Sequence, residues 1–150
     1  MFSFLIMVAV FINYFGGKCP FQESNVDAFV KAVDAKTNSM NFKNTKLTRM
    51  QLEKSSVEVY SDASGNALGI YENPARRDFG LRPAVYFFEN DSLKLILEED
   101  ASHREIKKYI MDNKVVRTYR RGKVIDCFER CYYGLETRGF QLLKKFRSMK

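Results

Sequence analysis

The chain has no tryptophan, a single histidine and only three cysteines. An odd number of cysteines allows at most one intramolecular disulfide, so this is not a disulfide-stapled scaffold. With His103 as its one imidazole, a zinc site would have to recruit carboxylates, and Cys19, Cys127 and Cys131 are expected to be buried thiols without a metal role. From Gly65 onward the glycines stand singly, which excludes a glycine-rich loop that cradles phosphate.

Hydrophobic residues and positive charge are abundant. The 150 residues are 45% hydrophobic and 14% aromatic, which is enough for one compact domain with one core. The formal net charge is +7. Residues 114–150 hold eleven basic and three acidic residues, whereas the charges of the first 113 nearly cancel. This asymmetry favours a negatively charged partner. The candidates are an acidic protein, an anionic membrane surface and a nucleic acid.

The first 17 residues, "MFSFLIMVAVFINYFGG", carry no charged side chain. As a helix they would reach about 25 Å, at the short end for a hydrocarbon layer of about 30 Å. No basic residue precedes the apolar run and no A-x-A-like cleavage site follows it. We expect residues 1–17 to be a signal peptide or membrane anchor on a single domain, residues 18–150, that is exported or membrane-associated. The alternative is a leader buried in the core of a cytoplasmic protein.

Hydrophobic periodicity predicts an N-terminal helix followed by a sheet. Val26, Phe29, Val30 and Val33 share one helical face. From Leu47 onward the period approaches 2, and short apolar runs alternate with turn sequences such as "ASGN" and "END". This pattern predicts an antiparallel meander of hairpins.

A second helix is predicted from "SHREIKKYIMDNK", where Ser102 and Glu105 have the spacing of a capping box and Ile106, Tyr109 and Ile110 form an apolar stripe. A hairpin around Arg121 and Gly122 follows, and "GLETRGFQLLKKF" either closes the sheet or forms a final helix. The predicted fold is α+β, with a mainly antiparallel sheet, an N-terminal amphipathic helix and one inserted helix.

The stretch "YSDASGNALGIY" resembles the hairpin on which ribonuclease H-like domains present their first metal-binding carboxylate. The resemblance implies a catalytic set of Asp62, Glu105 and Asp126 that would hold two Mg²⁺ ions for phosphodiester cleavage. Nothing acidic follows Glu136, however, and only 24 residues follow Asp126, too few to complete that fold. The sequence therefore favours a non-enzymatic protein without a cofactor or metal, in which Asp62 ends a strand and shapes a turn.

The basic C-terminal third supplies the candidate binding residues. Its aromatic residues are expected mainly inside the sheet and its cations on a solvated face. The predicted binding residues are Arg117, Arg120, Arg121, Lys123, Arg130, Arg138, Lys144 and Lys145. The favoured function is a small exported or membrane-tethered accessory protein, similar in size and layout to inhibitor or immunity proteins, that uses a basic sheet face to bind an acidic protein or an anionic membrane surface. The alternative is a nucleic-acid-binding protein, with the metal-dependent nuclease as its extreme.

Overall fold

A computed structural model describes residues 23–75, 82–100, 102–125 and 135–149. These residues form two α-helices and one sheet of eight antiparallel strands, in which each strand pairs with the next along the chain. The predicted α+β class and the meander of hairpins are confirmed. The helices are α1 (Glu23–Ser39) and α2 (Leu135–Arg147), with a short 3-10 helix at Phe42–Asn44. The strands are β1 (Lys46–Gln51), β2 (Ser55–Ser61), β3 (Ala67–Pro74), β4 (Ala84–Glu89), β5 (Ser92–Glu99), β6 (Glu105–Met111), β7 (Lys114–Arg120) and β8 (Lys123–Ile125).

Local turn chemistry explains how the strands are connected. Three hairpins turn through two residues that both have positive φ, the geometry whose twist matches that of paired strands. Asn, Asp and Gly tolerate this conformation best, and they occupy five of the six positions. The pairs are Asn90 (48°) with Asp91 (61°), Asp112 (52°) with Asn113 (61°), and Arg121 (54°) with Gly122 (72°). The β2–β3 turn uses Gly65 at φ 84°, so the predicted turns at "ASGN", "END" and Arg121–Gly122 are confirmed.

The sheet buries apolar side chains on both faces. Along β4, Tyr86 belongs to a core cluster that includes residues of α2, whereas Phe87 belongs to a second cluster that includes residues of α1. We call these two sides the α2 face and the α1 face. Since successive strand residues point to opposite faces, a strand covered on both sides is apolar throughout. This explains the nearly continuous apolar runs of β4 and β5.

Helix α1 packs over strands β4 to β7. Val26, Val30 and Val33 are buried against the sheet, as their helical spacing predicts. Polar contacts also fix the helix along its length, among them an ion pair between Lys36 and Glu89 of β4. The hydroxyl of Tyr109 donates to Asp34 Oδ1 at 2.6 Å, and Arg117 Nη2 donates to Asp27 Oδ1 at 3.0 Å.

Helix α2 packs against the opposite face, so the C-terminal segment forms a helix and does not close the sheet. Leu142, Leu143 and Phe146 are buried in the α2-face cluster. Gly139 permits the close approach, because a Cβ atom at this position would lie 2.8 Å from Tyr86 Cδ1.

The predicted inserted helix is wrong, because its sequence forms β6 (Glu105–Met111) between β5 and β7. Ile106 and Ile110 lie on one side of the strand and Tyr109 on the other, and all three are buried. The i, i+3, i+4 pattern of a helix also arises in a strand that is covered on both faces. Ser102 lies in the β5–β6 connection and caps no helix.

Several predictions fall on residues outside the described part of the chain. They concern the leader at 1–17, the three cysteines, and the proposed roles of Asp126 and Arg130. Within the described residues, neither helix has the length and apolar composition needed to cross a membrane.

Candidate functional site

Asp62 shapes the β2–β3 turn. Its carboxylate accepts hydrogen bonds from the backbone N of Asn66 at 2.8 Å and from Asn66 Nδ2 at 3.0 Å, and its backbone N donates to the Asn66 carbonyl. These bonds from Asn66 lower the pKa of Asp62 from its ordinary value of 3.8. The carboxylate therefore has a structural role that its position in the hairpin explains.

The fold separates Asp62 from Glu105, the second residue of the predicted nuclease set. Asp62 lies at the end of the sheet that also holds the β4–β5 and β6–β7 turns, whereas Glu105 begins β6 at the other end. Strand β6 runs from one of these ends to the other and is about 20 Å long. Two catalytic metal ions lie only about 4 Å apart, so Asp62 and Glu105 are too far from each other to hold the same metal pair. In the described part of the chain, no group of three or more metal-ligating side chains is assembled.

Three of the predicted binding cations are engaged in ion pairs. Arg117 is buried against α1, where Nη2 lies 3.0 Å from Asp27 Oδ1, so the structure differs here from the predicted solvated face. Arg120 Nε donates to Asp100 Oδ2 at 3.0 Å, and this bond lowers the pKa of Asp100 to about 2. Arg138 is paired with Glu72.

Four other predicted binding cations remain exposed. Arg121 and Lys123 belong to the β7–β8 hairpin, and Lys144 and Lys145 lie on the outer side of α2. Among the described residues, no ion pair neutralises any of these four. The seven predicted residues that the structure describes therefore do not form one continuous sheet face. Among these seven, the cations without an ion-pair partner lie on the β7–β8 hairpin and on α2.

A recess of about 450 Å³, which we call the α2 concavity, opens beside one of these places. The β1–β2 turn and α2 form its walls. Two of its seven residues are apolar, three are basic and one is acidic. They are Leu52, Glu53, Lys54, Arg138, Gln141, Leu142 and Lys145.

Beneath the α2 concavity, a buried carboxylate holds Arg138. Glu72 is only 2% exposed. It accepts hydrogen bonds from Ser55 Oγ at 2.7 Å, from the hydroxyl of Tyr86 at 3.4 Å and from Arg138 Nε at 3.1 Å, and Arg138 Nη2 makes a further contact. These bonds to Glu72 raise the pKa of Arg138, while burial and then the charge of Glu72 raise the pKa of Tyr86. Arg138 thereby joins the concavity to the core.

Sequence analysis missed Glu72. The sequence did contain a signal. Residues i and i+2 of a strand lie on the same face, so Glu72 is expected on the same face as Ile70. Ile70 is fully buried on the α2 face. A glutamate at the next inward position needs a buried cation, but the identity of Arg138 as that partner required the fold.

A second recess, of about 290 Å³, lies at the end of the sheet that holds the β5–β6 connection. Three of the glutamates that line it have basic neighbours within ion-pair distance. The pairs are Glu98 with Lys108, Glu99 with His103, and Glu105 with Lys107. Lysine ammonium groups therefore offset the negative charge of two of these carboxylates, Glu98 and Glu105. No protein-family model matches the chain, and no curated protein or solved structure matches it.

Proposed function

We propose that this protein is a small non-enzymatic binding protein, exported or membrane-tethered through residues 1–17, whose basic surface on α2 engages an acidic partner protein. An inhibitor or immunity-like accessory role fits this description. The observation that carries the proposal is the pair Lys144 and Lys145 on α2, which are both exposed and have no ion-pair partner among the described residues; Lys145 also lines the α2 concavity.

The environment of these cations favours a protein partner over a nucleic acid. Leu52 and Leu142 line the concavity together with charged side chains. Mixed apolar and charged groups are typical of protein interfaces, whereas a phosphate backbone is bound mainly by cations. An exported or tethered domain would also have little access to intracellular nucleic acid.

The proposal is tested by measuring binding of the full chain to labelled poly-L-glutamate, to phosphatidylcholine vesicles that contain phosphatidylglycerol, and to a generic oligonucleotide. We expect poly-L-glutamate to bind, with an affinity that falls as salt is raised. The charge-reversal variant Lys144→Glu/Lys145→Glu should weaken this binding about tenfold or more.

Lys31→Glu/Lys43→Glu is the matched control, since it makes the same charge change at exposed lysines away from α2. It should weaken binding much less. Equal losses in the two variants, or no binding to poly-L-glutamate, would contradict the proposal. Preferential binding to the oligonucleotide would favour the nucleic-acid alternative, and preferential binding to vesicles would favour a membrane surface as the partner.

A further inference from the structure

We infer that the α2 concavity is a subsite for a single carboxylate side chain, flanked by apolar residues, of an acidic polypeptide. This inference rests on the proposed function and adds to it the place and chemistry of recognition. The volume of about 450 Å³ lies within the range of sites that bind small ligands. It is large enough for the anchoring residues of a peptide segment.

Helical spacing places three hydrogen-bond donors in a row along one side of the recess. Gln141 follows Arg138 by three residues and precedes Lys145 by four, so the three side chains share one side of α2. All three line the concavity, opposite the β1–β2 turn. The row combines a guanidinium, an amide and an ammonium, and each of these groups donates hydrogen bonds to a carboxylate.

Arg138 is held in one orientation before any ligand arrives. Its Nε and Nη2 contact the buried Glu72, so Nη1 is the guanidinium nitrogen that Glu72 does not engage. The Arg138 side chain is 28% exposed and also lines the concavity. A donor already fixed by a second residue loses less conformational entropy on binding. Because the Arg138–Glu72 pair is neutral overall, the positive charge that this side of α2 offers to a ligand comes from Lys145.

The residues that line the α2 concavity favour a ligand whose carboxylate is flanked by apolar side chains. Leu52 and Leu142 offer apolar contact beside the three donors. A free phosphate would use the donors without the apolar wall. An acidic peptide in which leucine alternates with glutamate would use both.

The test compares two neighbouring lysines on the same helix. Lys144 and Lys145 are both exposed, but only Lys145 lines the concavity. Binding of a fluorescein-labelled, C-terminally amidated Leu-Glu-Leu-Glu-Leu peptide to the full chain would be measured by anisotropy. We expect Lys145→Glu to weaken binding about tenfold or more, and Lys144→Glu to weaken it only about twofold.

A second variant keeps the charge constant. Gln141 is exposed, and Gln141→Trp should fill the recess without loss of a cation. We expect it to weaken peptide binding about tenfold while the urea unfolding midpoint stays close to that of the parent protein. Inorganic phosphate at equal ionic strength should compete only weakly, and efficient competition by phosphate would overturn the preference for a peptide carboxylate.

The outcomes separate this inference from the proposed function. Equal effects of Lys144→Glu and Lys145→Glu, with no effect of Gln141→Trp, would overturn the subsite and leave general binding to acidic proteins intact. Failure of both the peptide and poly-L-glutamate to bind would overturn the proposed function as well.

Discussion

At the scale of single residues, Gly139 sets how closely α2 approaches the sheet. An added Cβ would lie 2.8 Å from Tyr86 Cδ1 and 3.1 Å from Leu93 Cδ2, both in the core. Contacts this short force neighbouring side chains to move, and tightly packed cores resist such movement. The glycine is therefore required here by lack of space.

This lack of space predicts that Gly139→Ala destabilises the protein. In an exposed helix Gly→Ala stabilises by about 1 kcal/mol, whereas overpacking a core costs about 1–3 kcal/mol. The difference between these two effects is a net loss of up to about 2 kcal/mol in the free energy of unfolding for Gly139→Ala, measured by urea denaturation. Thr137→Ala, at an exposed position of the same helix, should raise it by a few tenths of a kcal/mol. A stabilising effect of Gly139→Ala would show that α2 does not pack this closely.

At the scale of elements, α2 is held by an apolar stripe, by an exposed contact of Arg147 with Asp91 in the β4–β5 turn, and by a buried ion pair with the sheet. Leu142, Leu143 and Phe146 provide the stripe. The ion pair joins Arg138 of α2 to Glu72 of β3, whose side chain is 1% exposed. A buried carboxylate is costly without a charged partner, so this contact specifies where along the sheet the helix docks.

Replacing only one residue of the Arg138–Glu72 ion pair should destabilise the protein more than replacing both. We expect Arg138→Ala to lower the free energy of unfolding by about 3–5 kcal/mol, because Glu72 would stay buried without its cation. The double variant Glu72→Leu/Arg138→Met should recover most of this loss, since apolar side chains replace the pair. Urea denaturation of the single and double variants measures both effects.

The exposed pair of Arg49 and Glu58 serves as the control, with Arg49 75% exposed. Arg49→Ala should change the free energy of unfolding by less than about 1 kcal/mol. If Arg138→Ala were as mild as Arg49→Ala, the Arg138–Glu72 pair would not be a determinant of helix docking.

At the scale of the whole molecule, some basic side chains attach the two helices to the faces of the sheet and others are exposed to solvent. Ion pairs attach α1 through Arg117 and α2 through Arg138, whereas Lys144 and Lys145 stay exposed. Among the described residues of the predicted binding set, cations without an ion-pair partner are therefore exposed on the β7–β8 hairpin and on α2. Which acidic partners can reach that surface depends on the cellular compartment.

Residues 1–17 predict the compartment. We expect cells that express a C-terminally tagged chain to yield either a mature product shorter by about 17 to 20 residues or a full-length product in the membrane fraction. Fractionation followed by mass measurement distinguishes these two results. A full-length product in the soluble cytoplasmic fraction would mean that the leader is part of the core, and nucleic acid would then become an accessible partner.

Local chemistry alone determined much of the fold. The 3.6-residue period of Val26, Val30 and Val33 predicted α1, because only a helix brings these residues to one face. The turns at Gly65, at Asn90–Asp91 and at Arg121–Gly122 were predicted because positive φ restricts the residue types that can occupy them. Net charge likewise follows from composition and predicts an acidic partner without further structural information.

Tertiary structure decided what depends on residues far apart in the chain. The apolar pattern of β6 fits a helix or a doubly covered strand, and only pairing with β5 and β7 selects the strand. Arg117 and Arg138 look alike in sequence to the exposed cations, but Asp27 and Glu72 bind them across 90 and 66 residues. The α2 concavity joins the β1–β2 turn to the last helix. Periodicity carries no information about such contacts, because it reports the face of an element and not the neighbour that the face will meet.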